Sequence, residues 1–322
     1  MNEASISAIV VTYRSRSHID RCLKSLVDNH VREIWVVDNA SDDGTAAYVA
    51  GHYPEIHLIR NEWNVGFAAA NNQALVQIST PLVLLLNPDA WLEKGAALAM
   101  CAAMDACPDV GVVAPRIIRN NTIEPSLLRA PTVSGSLVFI LAGMRIYGTG
   151  GFSGRAAAGY PWHKGGEGDH VRGACMLVRM CAVEQAGKLD ERFFLYFEET
   201  EWCLRLRRYD WRVLLSPEAV AHHIGKASVR THDRLPSMEY MRGAIFLWHT
   251  YFSTSNVWLL RFALFLMAFS KRLILVLLRR RPEQRDWLGQ VIRLTRNPYS
   301  VPIGYPRARR PSCWPEKENN EA

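Results

Sequence analysis

The sequence predicts an α/β fold: a mostly parallel sheet flanked by helices, followed by a helical C-terminal extension. Three observations predict it. Short, wholly apolar, β-branched runs alternate with stretches of helical period, the pattern of right-handed βαβ units. Apolar residues make up 49% and charged residues 21% of the 322, enough to bury a real core and too apolar for a disordered chain. The last fifth instead opens on one long apolar stretch, Asn256–Leu278, and continues into an arginine-rich tail. The length suits one large domain or two smaller ones.

Each element has its own signal. Ser5–Tyr13 (SISAIVVTY) is a strand buried on both faces. Ser17–Asn29 places Ile19, Cys22, Leu23 and Leu26 on one helical face. Glu33–Val37 is a second buried strand, ending in the turn-rich loop Asp38–Thr45, which can cap the next helix. Ile56–Arg60 is a short third strand, Gly66–Ile78 a helix, and Pro81–Leu86 (PLVLLL) a fourth strand ending at Asn87-Pro88-Asp89. Gly111–Ile118 resumes a strand. Asn120–Gly168, rich in Gly, Pro, Ser and Arg, reads as loops and a partly ordered excursion over the site. Val171–Arg179 is a strand, Glu198–Tyr209 a helix and Arg212–Leu215 a strand. No internal repeat is apparent.

Charge and cysteine content exclude several classes. Formal net charge is +7, but residues 256–322 carry 13 Lys/Arg against 5 Asp/Glu, a net +8 that leaves −1 for Met1–Ser255. A nucleic-acid groove on the main body is therefore not expected. Seven cysteines with no CxxC pair argue against a disulfide scaffold or a four-cysteine zinc site and fit a reducing compartment. The opening MNEASISAIVVTY reads as no signal peptide.

Parallel sheets bind ligands at the carboxyl ends of their strands, where Asp38 and Asp89 fall. Acidic residues just after apolar strands have no packing role there, whereas Asp42 and Asp43 are equally well explained as turn or cap residues. In Phe193–Arg208 (FFLYFEETEWCLRLRR) an aromatic run leads into Glu198, Glu199 and Glu201. These acids favour the helix dipole and can pair with Arg205. An aromatic wall can equally desolvate one of them into a general base. His222-His223 followed by Gly225 reads as a metal or phosphate contact or as a structural pair.

In order along residues 5–230, these motifs resemble the inverting family 2 glycosyltransferases of GT-A fold, a Rossmann-like sheet, and especially their rhamnosyltransferase-like branch. Val10-Val11-Thr12-Tyr13 resembles the opening of the nucleotide site, and Val37–Thr45 the base-binding loop. Asn64-Val65-Gly66-Phe67-Ala68-Ala69-Ala70-Asn71 resembles the segment that closes over the donor. Leu86-Asn87-Pro88-Asp89 stands where the family carries its DxD metal motif. Arg172–Leu177, Gly187-Lys188-Leu189-Asp190 and Phe193-Phe194 precede the acidic motif Glu198-Glu199. His223–Ser228 matches an HxGxxS element. Two positions depart from the pattern. Asn87 replaces the first Asp of DxD, and the usual Glu-Asp is Glu-Glu.

The resemblance implies a catalytic domain over residues 1–235 and an amphipathic, basic helical extension over 236–322. It implies transfer of a sugar from a nucleoside diphosphate to a hydroxyl of a cell-envelope glycan or lipid-linked saccharide, with dTDP-L-rhamnose favoured and UDP- or GDP-sugars as alternatives. Thr12, Tyr13, Asp38, Asn39, Asn64, Gly66, Phe67, Asn71, Asn87 and Asp89 would contact the donor, with Gly66 and Gly173 allowing close backbone approach. Gly173, Ala174 and Glu198 would lie on the acceptor side, and Glu199 would be the base. Asp89 and His223 would hold Mg²⁺ or Mn²⁺, a Lewis acid for the leaving diphosphate. A non-catalytic sugar-nucleotide module would need no base. A nucleotidyltransferase would carry a glycine-rich loop after the first strand, where Thr12-Tyr13-Arg14-Ser15 has no glycine.

Asn256–Leu278 is long enough to span a bilayer. Its 14 Leu, Ile, Phe and Val residues contribute roughly −4 to −8 kcal/mol. Arg261, Lys271 and Arg272 cost about +7 to +10 kcal/mol if central, so insertion is not favoured. Arg261, Arg272 and Arg279 fall within about 20° on a helical wheel, a basic stripe on an apolar helix. The expectation is a helix lying on an anionic membrane surface, with the protein cytoplasmic and peripheral on the inner face. The alternative is a helix packed on the catalytic domain or on a partner.

Overall fold

The structure is a computed structural model and describes residues 6–141, 165–225, 235–279 and 281–298. Strand and helix alternate first: β1 (Ile6–Thr12), α1 (Ile19–Asp28), β2 (Glu33–Asp38), α2 (Thr45–His52), β3 (His57–Arg60), α3 (Phe67–Leu75), β4 (Leu82–Leu86). Then come β5 (Ala90–Leu92), α4 (Ala96–Ala106), β6 (Val110–Arg119), β7 (Thr122–Glu124), β8 (Leu127–Leu128) and α5 (Val133–Leu141). Next come β9 (Gly166–Gly168), β10 (His170–Val171), β11 (Cys175–Arg179), α6 (Met180–Ala186), α7 (Glu198–Arg207) and β12 (Arg212–His223). Three helices follow: α8 (Leu235–Tyr251), α9 (Thr254–Leu277) and α10 (Pro282–Arg296).

The main sheet runs β3-β2-β1-β4-β11-β6-β12-β5, with β7 beside β6 and β9 beside β12. β3, β2, β1 and β4 are mutually parallel, as are β6 and β12. β11 runs antiparallel between β4 and β6, so β6 and β12 point the same way as β1. The carboxyl ends of β1, β2, β4 and β12 therefore share one edge. β1 and β4 are buried along their whole length because helices cover both faces of the sheet. α1 buries Ile19, Cys22, Leu23, Ser25 and Leu26, the face its spacing predicts plus one serine.

Three departures from the sequence expectation have physical causes. The stretch read as loops holds β7, β8, α5 and β9, while 142–164 lies outside the described residues. α5 (VSGSLVFIL) is apolar almost all round, so it carries no amphipathic period, and it packs on α9, more than a hundred residues later. Val171–Arg179 is not one strand: β10 pairs with β8 in a separate ribbon, and the chain breaks at Arg172–Ala174 before β11. β12 continues past Leu215 to His223 after an irregularity at Ser216–Val220. Pro217 sits in that irregularity, where it withholds no ladder hydrogen bond.

The C-terminal helices share one apolar core with α5 and with Phe193, Phe194 and Phe197 of the segment before α7. Inside α8, Arg242 is buried. It pairs with buried Glu239 and donates from Nε to Pro298 O (3.0 Å).

The basic stripe of α9 does not face away from the protein. Arg261 donates to Thr295 O (2.7 Å) and Arg296 O (2.6 Å), carbonyls of the last turn of α10. Arg272 donates to Arg285 O (3.2 Å). The two side chains thus cap and seam the α9–α10 pair. The face turned to solvent is apolar instead. Trp258, Leu259, Phe262, Leu266, Phe269, Leu273, Val276 and Leu277 are all exposed. At 100° per residue they occupy an arc of about 100°, opposite the buried Val257, Leu260, Leu264 and Ala268. No helix among the described residues is long and apolar enough to cross a membrane.

Candidate active site

At the ends of β1 and β2, Thr12 Oγ1 donates to Asp38 Oδ1 (2.8 Å), and the Ser41 amide donates to Asp38 Oδ2 (3.0 Å). Asp38 is buried, and both its oxygens already hold the loop together. The Asn39 amide donates to Thr12 O (2.8 Å), and its side chain to Gly66 O (3.2 Å). Asn61 donates in turn to Asn39 Oδ1 (2.9 Å). Tyr13 flanks this corner under the Arg14 guanidinium, 5.1 Å from its ring centre. Asp43 takes the bland role, accepting from the Thr45 amide at the start of α2 (3.1 Å), and Asp42 pairs with Arg14 (2.7 Å).

The Asn64–Asn71 segment is fixed from two sides. Asn64 Oδ1 accepts from the Gly66 amide (2.9 Å), and Asn71 donates to Phe67 O (2.9 Å). The Phe67 amide donates to Phe194 O (2.7 Å). Gly66 has φ +89°, and a Cβ there would lie 2.7 Å from the Phe194 ring. The close approach at this glycine is thus to the chain's own Phe194. At Gly173 a Cβ would fall 3.4 Å from the Glu199 side chain, a close but far looser approach.

Asn87 and Asp89 follow β4. The Asn87 amide donates to Ala174 O (2.9 Å), so the Arg172–Ala174 break lies directly against the Asn87 turn. Asp89 is buried. Its Oδ2 accepts from the Gly225 amide (3.0 Å), and its Oδ1 lies 3.4 Å from His223 Nε2. Lys226–Ser228 lie outside the described residues.

The two adjacent histidines alternate across β12, as strand side chains must. His222 stacks on Trp91 (4.9 Å) and bonds Glu93 (2.7 Å). His223 turns toward Asp89 on one side and Glu124 on the other, with Nδ1 3.8 Å from Glu124 Oε2. Burial disfavours its cation, but the two carboxylates outweigh burial and raise its pKa to about 9. Glu124 also faces Arg119 (3.4 Å) and Arg172 (3.5 Å). Burial opposes its ionisation, but His223 and the two arginines outweigh it, so its pKa falls below the usual value. The sequence reading missed Glu124 and Arg172 as site residues. The available signal was Asn120-Asn121, both with positive φ, the two-residue turn that folds β7 back along β6 and brings Glu124 to the edge.

Among the described residues no group of three or more His, Cys, Asp or Glu side chains converges to hold a metal. The convergent donors are two, Asp89 Oδ1 and His223 Nε2. That fits a hard divalent cation that takes its remaining ligands from substrate phosphate and water, and does not fit a closed structural site. His223 must lose its proton for the ion to bind.

The three acids at the start of α7 divide their work. Glu201 pairs with Arg205, its neighbour one turn on (2.9 Å), the bland reading of that acid. Glu198 is buried, and Oε2 of both Glu198 and Glu199 is enclosed without a hydrogen-bond partner. Burial raises both pKa values, and the neighbouring Glu199 charge pushes Glu198 well above the glutamate range. At Glu199 the Gly173 amide and the Arg172 charge oppose the rise. The two carboxyls lie together in an enclosed place, so a charge on one disfavours a charge on the other.

Residues 7–155 match the sequence model described as Glycosyl transferase family 2. A Mycobacterium tuberculosis relative, N-acetylglucosaminyl-diphospho-decaprenol L-rhamnosyltransferase, is 28% identical over 245 residues, covering 68% of this chain and 76% of the relative. The Haloferax volcanii low-salt glycan biosynthesis hexosyltransferase Agl10 is 29% identical, and the match covers 63% of this chain and 62% of that protein. Among solved structures, the Pyrobaculum calidifontis mannosyltransferase PcManGT, in complex with GDP-Man and Mn²⁺, superposes with a TM-score of 0.55 at 15% identity. That match covers 91% of this chain and 87% of the mannosyltransferase, and it bears on the fold alone. The matched residues hold the Asp38 loop, the Asn64–Asn71 segment and Asn87–Asp89, and the sheet that presents them is of GT-A type: over residues 7–155 the chain is similar to the family 2 glycosyltransferases, and it is a glycosyltransferase.

Proposed function

We propose that this glycosyltransferase moves L-rhamnose from dTDP-L-rhamnose to a hydroxyl of a cell-envelope glycan or lipid-linked saccharide, with inversion in a single displacement. The observation that carries the reading is the Glu198–Glu199 pair. It is a buried carboxyl pair at the start of α7 whose pKa values burial raises, with Gly173 against the Glu199 side chain. The rhamnosyl name of the Mycobacterium relative supports the donor, and its diphospho-decaprenol name supports a lipid-linked acceptor.

In this reading Glu199 takes the proton of the acceptor hydroxyl as the new bond forms, and Glu198 donates a hydrogen bond to the acceptor from its neutral carboxyl. Gly173 and Ala174 form the floor on that side. Thr12, Tyr13, Asp38 and Asn39 hold the nucleoside end. Asn64, Gly66, Phe67, Asn71 and Asn87 line the sugar and diphosphate. Asp89 and His223 would hold Mg²⁺ or Mn²⁺, a Lewis acid that would supply charge neutralisation for the diphosphate. Residues 1–235 serve as the catalytic unit. Residues 236–322 rest on the anionic inner face of the cell membrane, held by the exposed apolar arc of α9 and the surrounding arginines.

The test is a donor screen on the full chain with dTDP-L-rhamnose, UDP-hexoses and GDP-mannose side by side, each with and without Mn²⁺. Metal-dependent release of dTDP from dTDP-rhamnose above all other donors is the expected result. Preferred turnover of a UDP- or GDP-hexose, as the hexosyltransferase name of the Haloferax relative would favour, reassigns the donor.

A further inference from the structure

Residues Phe193–Phe197 form a strap between two parts of the molecule that sequence places far apart. On its front, Phe194 O accepts from the Phe67 amide of the donor segment (2.7 Å). On its back lies α8. A Cβ at Gly243 would stand 2.9 Å from both Tyr196 O and the Phe197 ring, so only glycine lets the helix come this close. The Tyr240 ring packs 4.8 Å from Phe197 and 5.7 Å from Tyr196, and Phe246 meets Phe193 edge-on at 5.9 Å.

The strap is strained where it enters α7. Tyr196 (φ +71°) and Phe197 (φ +72°) are consecutive aromatic residues in the left-handed region, a conformation that bulky side chains hold only when their surroundings impose it. Phe197 is the N-cap of α7, and its carbonyl accepts from the Glu201 amide (2.8 Å). Glu198 and Glu199 are the next two residues. Tyr251, at the far end of α8, donates to Glu201 O (3.1 Å) and so ties the first turn of α7 to the same helix.

We propose that α8, through Gly243 and Tyr240, is a positioning element for the Glu198–Glu199 pair. The C-terminal helices are then a support of the reacting groups and more than a membrane platform. Packing of α8 imposes the left-handed turn at Tyr196–Phe197, and that turn sets the direction in which α7 presents its two carboxyls. The role rests on the reading of Glu199 as the base.

The experiment compares the full-length wild type with Gly243→Ala, Tyr240→Ala and Tyr240→Phe. Alanine is the better helix former, so helix propensity alone would leave Gly243→Ala at least as stable and fully active. A positioning role requires the opposite in the rate. Gly243→Ala lowers kcat at least 10-fold, while dTDP binding, measured by calorimetry, stays within 2-fold. Tyr240→Phe restores most of the rate that Tyr240→Ala loses, because the ring remains against Phe197. Hydrogen exchange at the first-turn amides of α7 rises in the alanine variants, while β1 and β4 stay protected. Wild-type kcat in Gly243→Ala and Tyr240→Ala overturns the proposal, as does unchanged α7 exchange. If Gly243→Ala fails to fold, Tyr240→Ala carries the test. If the wild type turns over no donor, the base assignment fails, and the exchange measurement still decides whether α8 holds the strap.

Discussion

Glu198 and Glu199 occupy adjacent positions in one turn, yet their environments push them apart. Burial and the Glu199 charge both raise the pKa of Glu198, whereas Glu199 has the Gly173 amide and Arg172 favouring its ionised form. A raised folded-state pKa on an acid gives stability that is fully present below the unfolded value, about 4.3, and is lost as pH rises through the folded value. Glu198→Gln should therefore melt higher than wild type at neutral and alkaline pH and lose that advantage below about pH 4. Thermal melts across pH 4–9 check the sign. A parallel loss of stability in both proteins from pH 5 to 9 would contradict it.

At the scale of elements, α8 and α9 show why part of the fold was readable in advance and part was not. α1, β1 and β4 announce themselves because their burial pattern is set locally, by spacing along ten or fewer residues. Asp38 and Asn87–Asp89 were legible for the same reason, each lying at the end of a recognisable strand, whereas the Asn64–Asn71 segment stood out only through its resemblance to the family pattern. α5 and α8 were not legible, because what gives them a place is a core shared with residues 193–197 and with α9. The arginines of α9 had the right periodicity and the wrong neighbour: their partners are carbonyls of α10, which no pattern within α9 reveals. Glu124 was hidden likewise, since its role depends on a hairpin that carries it to His223 and Arg172.

Two outcomes follow for these helices. Arg242→Leu removes the partner of buried Glu239 and the donor to Pro298 O, which should cost about 3–5 kcal/mol of stability. Urea unfolding measures it, and a loss under about 1 kcal/mol would show that the pair is not structural. The exposed arc of α9 bears on binding instead. Each large apolar side chain moved from water into lipid contributes roughly 1.5–3 kcal/mol. Replacing Phe262, Phe269 and Leu273 together with Ser should abolish flotation on phosphatidylglycerol vesicles, with the melting temperature within a few degrees of wild type. Undiminished flotation would remove the arc from the account.

On the scale of the whole molecule, charge and chemistry separate. The near-neutral body places Thr12 and Asp38 at the ends of β1 and β2, Asp89 after β4 beside His223, and Glu198 and Glu199 at the start of α7. The basic excess lies in residues 256–322, where part of it stitches helices together. The strap at Phe193–Phe197 joins the two parts, so the C-terminal helices and the segment that enters α7 share one core. The central claim is that Glu199 accepts the acceptor proton. Steady-state transfer from the preferred nucleotide sugar, wild type against Glu199→Gln, tests it most directly. A loss of kcat of about 10²–10⁴-fold with donor KM within about 3-fold is the predicted result. A Glu199→Gln enzyme that transfers sugar at the wild-type rate would contradict it.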